Sequence, residues 1–394
     1  MSENQAIALT EAAQAVLARL LDFGEATRKR LAESIGFSFP TVTVALGELT
    51  AKRLVCELRR EQGARGRATL VYGVSDEAGW VLGVDIGATQ ISFMGRGLNG
   101  KVLCQASIQR DKSVASPGEL AGEWVAHAAA LNALGVPRAV AVALNQVVPR
   151  QLAHPHRPPS RALDIAQTFA ACCKLPASTP FLLENNVNCA AVTEHQLGLM
   201  RGHDDAAYMQ IGVGIGLGFF SDGALIRGGQ GGSGELAQIP LSWRHTQPSG
   251  FDALEQRYGS NGLMLRAQDL LNGGDSQPLS PQALFSLAAA GHEQAQALMD
   301  EHGVALGRIA AAAATILDPS ILILGGGLSQ NQLFAQRIMD EFSLRNQDTR
   351  IEVSQMGPEA TVVGACLLAR DLAITHIVDR YHRPICARPT LLAP

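Results

Sequence analysis

Residues 81–95, VLGVDIGATQISFMG, set two apolar runs on either side of a Gly-Ala-Thr turn and read as strand, glycine turn, strand. Asn99-Gly100 then makes the tight turn of a hairpin into KVLCQASI. A similar section recurs about 125 residues further on, at YMQIGVGIGLGFFSDG, residues 208–223. Two such units predict two related lobes facing a cleft. Helices are expected near 281–289 and 292–317, then a strand at SILIL and a turn at Gly325-Gly326-Gly327. A helix follows from Ser329, and a last one, at about 359–379, is apolar on one face. Strands alternating with Ala-rich helices place the body in the α/β class.

Outward from that body, composition narrows the choices. The chain has 394 residues, 47% of them hydrophobic and 17% charged, enough apolar material for packed cores and too much for a disordered chain. No uninterrupted apolar run reaches the ~18–20 residues of a membrane helix, because Arg, Asp, Gly or Pro breaks each candidate. The first thirty residues lack a secretory pattern. The seven Cys are scattered with no CxxC, so neither a disulfide framework nor a zinc ribbon is legible, and a cytoplasmic location is expected.

The net charge of −4 is unevenly spread: residues 27–67 hold nine Lys/Arg against four Asp/Glu. That basic stretch suits a polyanion, or is simply a solvated face. Its local structure narrows the choice. Thr10 caps a first helix closed by Gly24, Thr27 caps a second closed by Gly36, and Ser38 caps a third with Pro40 in its first turn. LVCELRR and ATLVYGV then read as a hairpin whose loop carries Arg65 and Arg67. Helix, helix, helix, hairpin is a winged helix-turn-helix, whose third helix enters a major groove. Ser38, Thr41 and Thr43 are placed to meet bases or phosphates. Arg28, Lys29, Arg30, Arg65 and Arg67 are placed to meet phosphates. The bland alternative for residues 10–72 is a small helical interaction domain.

DIGATQI (85–91), LENNVNCAA (183–191), GVGIGLGFFSDGALIRGGQGGSGELAQ (212–238) and ILILGGGLSQ (321–330), behind a winged helix, resemble the ROK family of repressors, open reading frames and kinases. The resemblance covers nearly the whole chain. It implies an actin-like, sugar-kinase fold, with a winged helix-turn-helix over 1–75, a first lobe over 76–190 and 363–382, and a second over 191–362. It implies that Asn185, Asn186, Glu235, Gln238 and Glu255 form a sugar-like effector site, and that Asp85, Gly87 and Thr89 remain from a phosphate-binding turn.

Several positions depart from the family pattern. The first turn is usually D-x-G-G-T-K; here Ala88 and Gln90 replace a glycine and a lysine, which argues against a bound nucleotide. The family's E-N-D-x-N supplies an aspartate as general base, and Asn186 stands in its place. An amide can hydrogen-bond a sugar hydroxyl but cannot take its proton, and losing a general base typically slows a reaction ~10²–10⁴-fold. The family's zinc loop is Cys-rich; IPLSWRHTQPSGFDALEQ has no Cys and only His245, short of the roughly four ligands zinc needs. No metal and no other cofactor is expected. Gln238 replaces a sugar-contacting His, and Asn145-Gln146 replaces a Pro-Gly after the strand RAVAVAL.

Together these imply a catalytically inactive kinase-like body in a transcriptional regulator of repressor type, with operator DNA and a small sugar-like effector as partners. A homodimer or homotetramer is expected, with no membrane. Two alternatives stay open: an active sugar kinase with an accessory domain, and an interaction protein whose body no longer binds a ligand.

Overall fold

The computed structural model describes residues 8–62, 68–110, 116–151, 160–239, 253–271, 279–378 and 390–391. The chain forms two compact units. One comprises residues 1–144, 152–184 and 365–394; the other comprises 145–151 and 185–364.

The first unit opens with a winged helix. Helix α1 (Glu11–Phe23) is capped by the Thr10 hydroxyl and stopped by Gly24, whose φ is +75°. Strand β1 (Glu25–Thr27) follows, then α2 (Arg28–Ile35), capped by Thr27 and ended by left-handed Gly36. Helix α3 (Phe39–Ala51) is capped by Ser38 with Pro40 in its first turn. Strands β2 (Val55–Gln62) and β3 (Ala68–Val74) form the wing. The tip with Arg65 and Arg67 lies outside the described residues. The sheet order is β1-β3-β2; the three-residue β1, absent from the sequence reading, draws its hydrogen bonds from β3 rather than from any pattern of its own. Leu17, Leu20, Leu31, Leu46 and Leu49 make the small core.

The body of this unit holds β4 (Trp80–Ile86), β5 (Gln90–Gly97), β6 (Val102–Gln109), α4 (Pro117–Ala126), α5 (Ala129–Asn132), β7 (Val140–Leu144), α6 (Arg161–Cys172) and β8 (Phe181–Asn185). The second unit holds α7 (Asn186–Leu197), β9 (Ala206–Ile211), β10 (Ile215–Ser221), β11 (Ala224–Leu225), α8 (Ala253–Tyr258), α9 (Ser260–Leu271), α10 (Pro281–Ala289), α11 (Glu293–Leu317), β12 (Ile321–Gly325), α12 (Gln332–Ser343) and β13 (Arg350–Val353). Helix α13 (Ala360–Ile377) begins in the second unit and ends in the first, where β14 (Thr390–Leu391) pairs with β8.

The internal repeat is visible in the sheets. One runs β6-β5-β4-β7-β8-β14, the other β11-β10-β9-β12-β13. In each, an antiparallel hairpin supplies a strand that takes a parallel neighbour on its other side, β4 with β7 and β9 with β12. The fold is a winged helix-turn-helix followed by an α/β body of sugar-kinase type.

Two details depart from the sequence reading. Helix α12 starts at Gln332, not Ser329, because the Asn331 side chain caps it while Ser329 bonds back to the Gly326 carbonyl. Helix α13 is buried on nearly every side rather than on one. It is also the one helix among the described residues long and apolar enough to cross a membrane, and 72% of it is buried inside the fold. Near its middle Arg370 donates to the Leu98 carbonyl (2.8 Å) and the Leu21 carbonyl (3.2 Å), tying α1 of the winged helix to the body of its unit.

Helix α7 is clamped from within the second unit. Glu194, fully buried, accepts hydrogen bonds from the Leu199 amide (3.0 Å) and the Ser354 hydroxyl. Thr193 donates to the Ala360 carbonyl at 2.6 Å. Glu194→Ala leaves the buried Ser354 hydroxyl and the part-buried Leu199 amide without their acceptor and is expected to destabilise the protein by about 2–4 kcal/mol, read by chemical denaturation. Loss of under 0.5 kcal/mol would show that α7 is held by packing alone.

Candidate functional site

The second unit gathers its polar groups around the first half of β10. The sequence GIGLG places Gly216 and Gly218 two residues apart, on one face of a strand. A Cβ at Gly216 would lie 2.8 Å from Val187 Cγ2, and one at Gly218 would lie 2.8 Å from Ala191 Cβ. These glycines therefore let α7 lie against the strand. Just before them, a Cβ at Gly214 would lie 2.9 Å from Glu255 Oε2, and the Ile215 amide donates to that oxygen at 3.3 Å. Leu217 donates to the Gly234 carbonyl at 2.9 Å, which brings the Gly234-Glu235 turn to the same strand. Gly234 has φ +81°, and a Cβ there would collide with the Leu217 carbonyl at 1.8 Å.

The N-terminus of α7 forms another wall. The Asn185 Oδ1 accepts from the amides of Val187 (2.8 Å) and Asn188 (3.3 Å), and its Nδ2 donates to the Gln146 carbonyl at 3.2 Å. Asn185 is thus both a helix cap and a tether for the 145–151 loop. That loop reaches the glutamate turn as well: Arg227 donates to the Val148 carbonyl, and Gly231 packs against it. Asn186, half-buried, makes no side-chain hydrogen bond to the described residues.

Burial first, and the charge of Glu255 second, push the Glu235 carboxyl above its ordinary range. The two carboxylates the sequence singled out are therefore near enough to sense each other. Gln238, exposed, ends a short 3-10 turn that starts after Glu235. His302 was missed in the sequence because it is one of several polar residues along a long helix and belongs to no motif. Its Nε2 meets the Tyr258 carbonyl at 2.9 Å, and burial holds its pKa down to about 4, so it fixes the end of the helix that carries Glu255 as a neutral donor. The Cys-poor loop with His245 lies outside the described residues.

The Asp85 turn belongs to the first unit. The Gly87 amide donates to the Gln90 carbonyl at 2.9 Å, and Thr89 is exposed. Asp85 Oδ1 is sealed from solvent without a hydrogen-bond partner, and burial pushes the carboxyl up to about 7. Arg110, which the sequence reading missed, donates to the Gly87 carbonyl at 3.0 Å. It brings a cation to the turn where Gln90 stands in place of the family lysine.

In the winged helix, Ser38, Thr41 and Lys29 are exposed and Thr43 is half-exposed. Arg28 is half-buried: its Nε donates to the Tyr72 hydroxyl at 2.9 Å, so it pins α2 to the wing. Arg30 lies over the Phe23 ring at 4.3 Å. The wing adds exposed Arg60, while Arg59 is drawn to Glu25 and Glu61.

With this geometry in place, comparison with known proteins is direct: the ROK family model matches residues 81–372. The chain belongs to the ROK family. Among its relatives is the bifunctional enzyme NanE/NanK of Brucella melitensis, 26% identical over 302 residues, covering 75% of this chain and 54% of that protein. The chain thus spans about half the length of that relative. The xylose repressor of Bacillus subtilis is 23% identical over 281 residues, covering 69% of this chain and 71% of the repressor. A solved ROK family transcriptional regulator, a homologue of the E. coli MLC protein, matches with a TM-score of 0.72 and 18% identity. That match covers 94% of this chain and 98% of the other, so the shared fold includes the winged helix. ROK relatives of this chain therefore include both sugar kinases and repressors.

A carboxyl whose pKa is raised in the folded state contributes fully below its unfolded value and loses that contribution as pH rises through the folded one. Glu235→Gln should therefore raise the thermal midpoint at pH 7 and match the parent near pH 4. A variant less stable than the parent at pH 7 would show that the Glu235 charge is satisfied rather than strained.

Proposed function

We propose that the protein is a DNA-binding transcriptional regulator of repressor type whose body binds a hydroxyl-rich, sugar-like effector without phosphorylating it. The observation that carries the reading is the winged helix-turn-helix preceding a ROK body in one chain. Residues 1–75 act as the DNA-binding domain, with phosphate contacts from Lys29 and Arg30 and from the wing. The exposed end of α3 enters the groove, with Ser38, Thr41 and Thr43 at its start. A repressor and a regulator among the relatives support the same assignment.

The effector site is Asn185, Asn186, Glu235, Gln238 and Glu255. Carboxylates accept hydrogen bonds from hydroxyls, and amides both accept and donate, so the set suits a neutral polyol. Asn186 stands where a kinase needs a base, and its amide cannot remove a proton. Binding without turnover suits a sensor, because a ligand shifts an equilibrium only by preferring one state over the other. Operator binding by a homodimer, at half-sites a whole number of helical turns apart, follows from the same reading.

A kinase reading rests on one observation of this chain: Asp85 keeps its place in the glycine turn, with Arg110 beside it. The enzyme relatives give it weight. A coupled assay over a sugar panel with ATP separates the two. Turnover abolished by Asn186→Ala would establish the kinase.

The regulator reading is tested with the full chain and the DNA upstream of its own gene. Specific binding should weaken steeply with salt, and Lys29→Ala should reduce the slope of log affinity against log salt by about one. A saturating sugar at 100-fold its Kd should add ~2.7 kcal/mol of stability, and Glu235→Ala should remove the gain. No specific complex at low or high salt would defeat the regulator assignment.

A further inference from the structure

From Leu31 to Ala51 the chain contains no Arg, Lys, Asn, Gln or His. These are the side chains that read guanine and adenine edges by hydrogen bonding in a major groove, the paired contacts coming from Arg, Lys, Asn and Gln. The stretch includes all of α3, the recognition helix. Its charged residues are Glu33 and Glu48, and Glu48 turns back to α1, accepting from the Thr10 amide (3.2 Å) and hydroxyl (2.6 Å). The hydroxyls are engaged locally too. Ser38 and Thr41 share a hydrogen bond of 2.7 Å, and Thr43 donates to the Phe39 carbonyl at 2.9 Å.

What α3 turns outward is therefore largely apolar, the exposed hydroxyls being those of Thr41 and Thr50. Phe39 is 53% exposed and Val44 74%. Gly47, one turn after Thr43, is exposed, and a Cβ built on it meets nothing within 4 Å. Glycine inside a helix destabilises it relative to alanine, and no contact among the described residues requires one there. A bare backbone in the middle of an exposed face suits close approach from outside.

Resting on the DNA-binding reading above, we propose that α3 reads its operator through apolar contact with thymine methyl groups. Phe39, Val44 and the Thr43 methyl make the contacts, and Gly47 lets the helix backbone come close to the groove. DNA is the occupant that the charge favours, since residues 27–67 hold nine Lys/Arg against four Asp/Glu. Exposed Lys29, Arg30 and Arg60 lie on the elements beside α3. Thymine is the base that offers a methyl to such a face. The half-site then carries thymines where α3 lies, and guanine there is not selected.

The test uses the full chain and duplexes selected from a random library. In the selected duplex each thymine is replaced in turn by deoxyuridine, which removes only the methyl. Affinity should fall about threefold to fivefold at each contacted position. Val44→Ser, at a site too exposed to disturb the fold, should make the thymine and uracil duplexes bind alike at that position. Gly47→Ala should raise the thermal midpoint and yet weaken DNA binding at least tenfold, two effects of opposite sign that a structural role cannot produce together.

Equal affinity for thymine and uracil duplexes throughout, with salt-dependent binding intact, overturns the methyl readout and leaves the DNA-binding reading standing. Binding to no duplex, even at low salt, overturns both. A change of oligomeric state with Val44→Ser, seen by gel filtration with DNA binding unaltered, would make the face a contact between copies and overturn the proposal.

Discussion

Helix α7 lies so close to strand β10 that Gly216 and Gly218 have no room for a side chain, and the rest of the second unit is arranged around that contact. The helix is crowded on another side as well, where a Cβ on Gly364 would meet the Cys189 carbonyl at 1.8 Å. Close approach of backbones gains dispersion contacts but excludes water, so polar groups nearby must find partners in the protein. Glu194 does so through Leu199 and Ser354, and Thr193 through Ala360. The position of α7 fixes Asn185 and Asn186 at its N-terminus, and the same strand holds Glu255 through Ile215 and the Glu235 turn through Leu217.

The chemistry of the assembled site follows from which charges it keeps. Glu235 and Glu255 repel each other and are partly desolvated, a cost that a ligand offering hydroxyl donors would offset. At the N-terminus of α7, where backbone amides favour an anion, the side chain at 186 is an uncharged amide. Burial keeps His302 neutral near pH 7, so its bond to the Tyr258 carbonyl at the end of α8 does not titrate in that range.

The winged helix was legible almost residue by residue. Thr10, Thr27 and Ser38 cap, Gly24 and Gly36 stop, and these are interactions within one turn of helix that the local sequence specifies by itself. Strand β1 was not legible, because three residues become a strand only when β3 lies beside them. The start of α12 shifted from Ser329 to Gln332 because Ser329 and Asn331, two residues apart, could each have capped it, and Ser329 took a different partner.

The body divides along the same line. Sequence alone determined the fold, through a repeated strand–glycine–strand pattern, and named Asn185, Asn186, Glu235 and Glu255. Glycine spacing and a missing carboxylate are properties of the chain itself. Only the tertiary structure decided what those residues do for one another. It turned two glycines of GVGIGLG to packing against α7, brought Arg110 to the Asp85 turn, and gave the Gln146 carbonyl and the His302 ring their places. The physical reason is distance along the chain. His302 and Tyr258 are 44 residues apart and Asn185 and Gln146 are 39 apart, so packing, not local preference, brings them together.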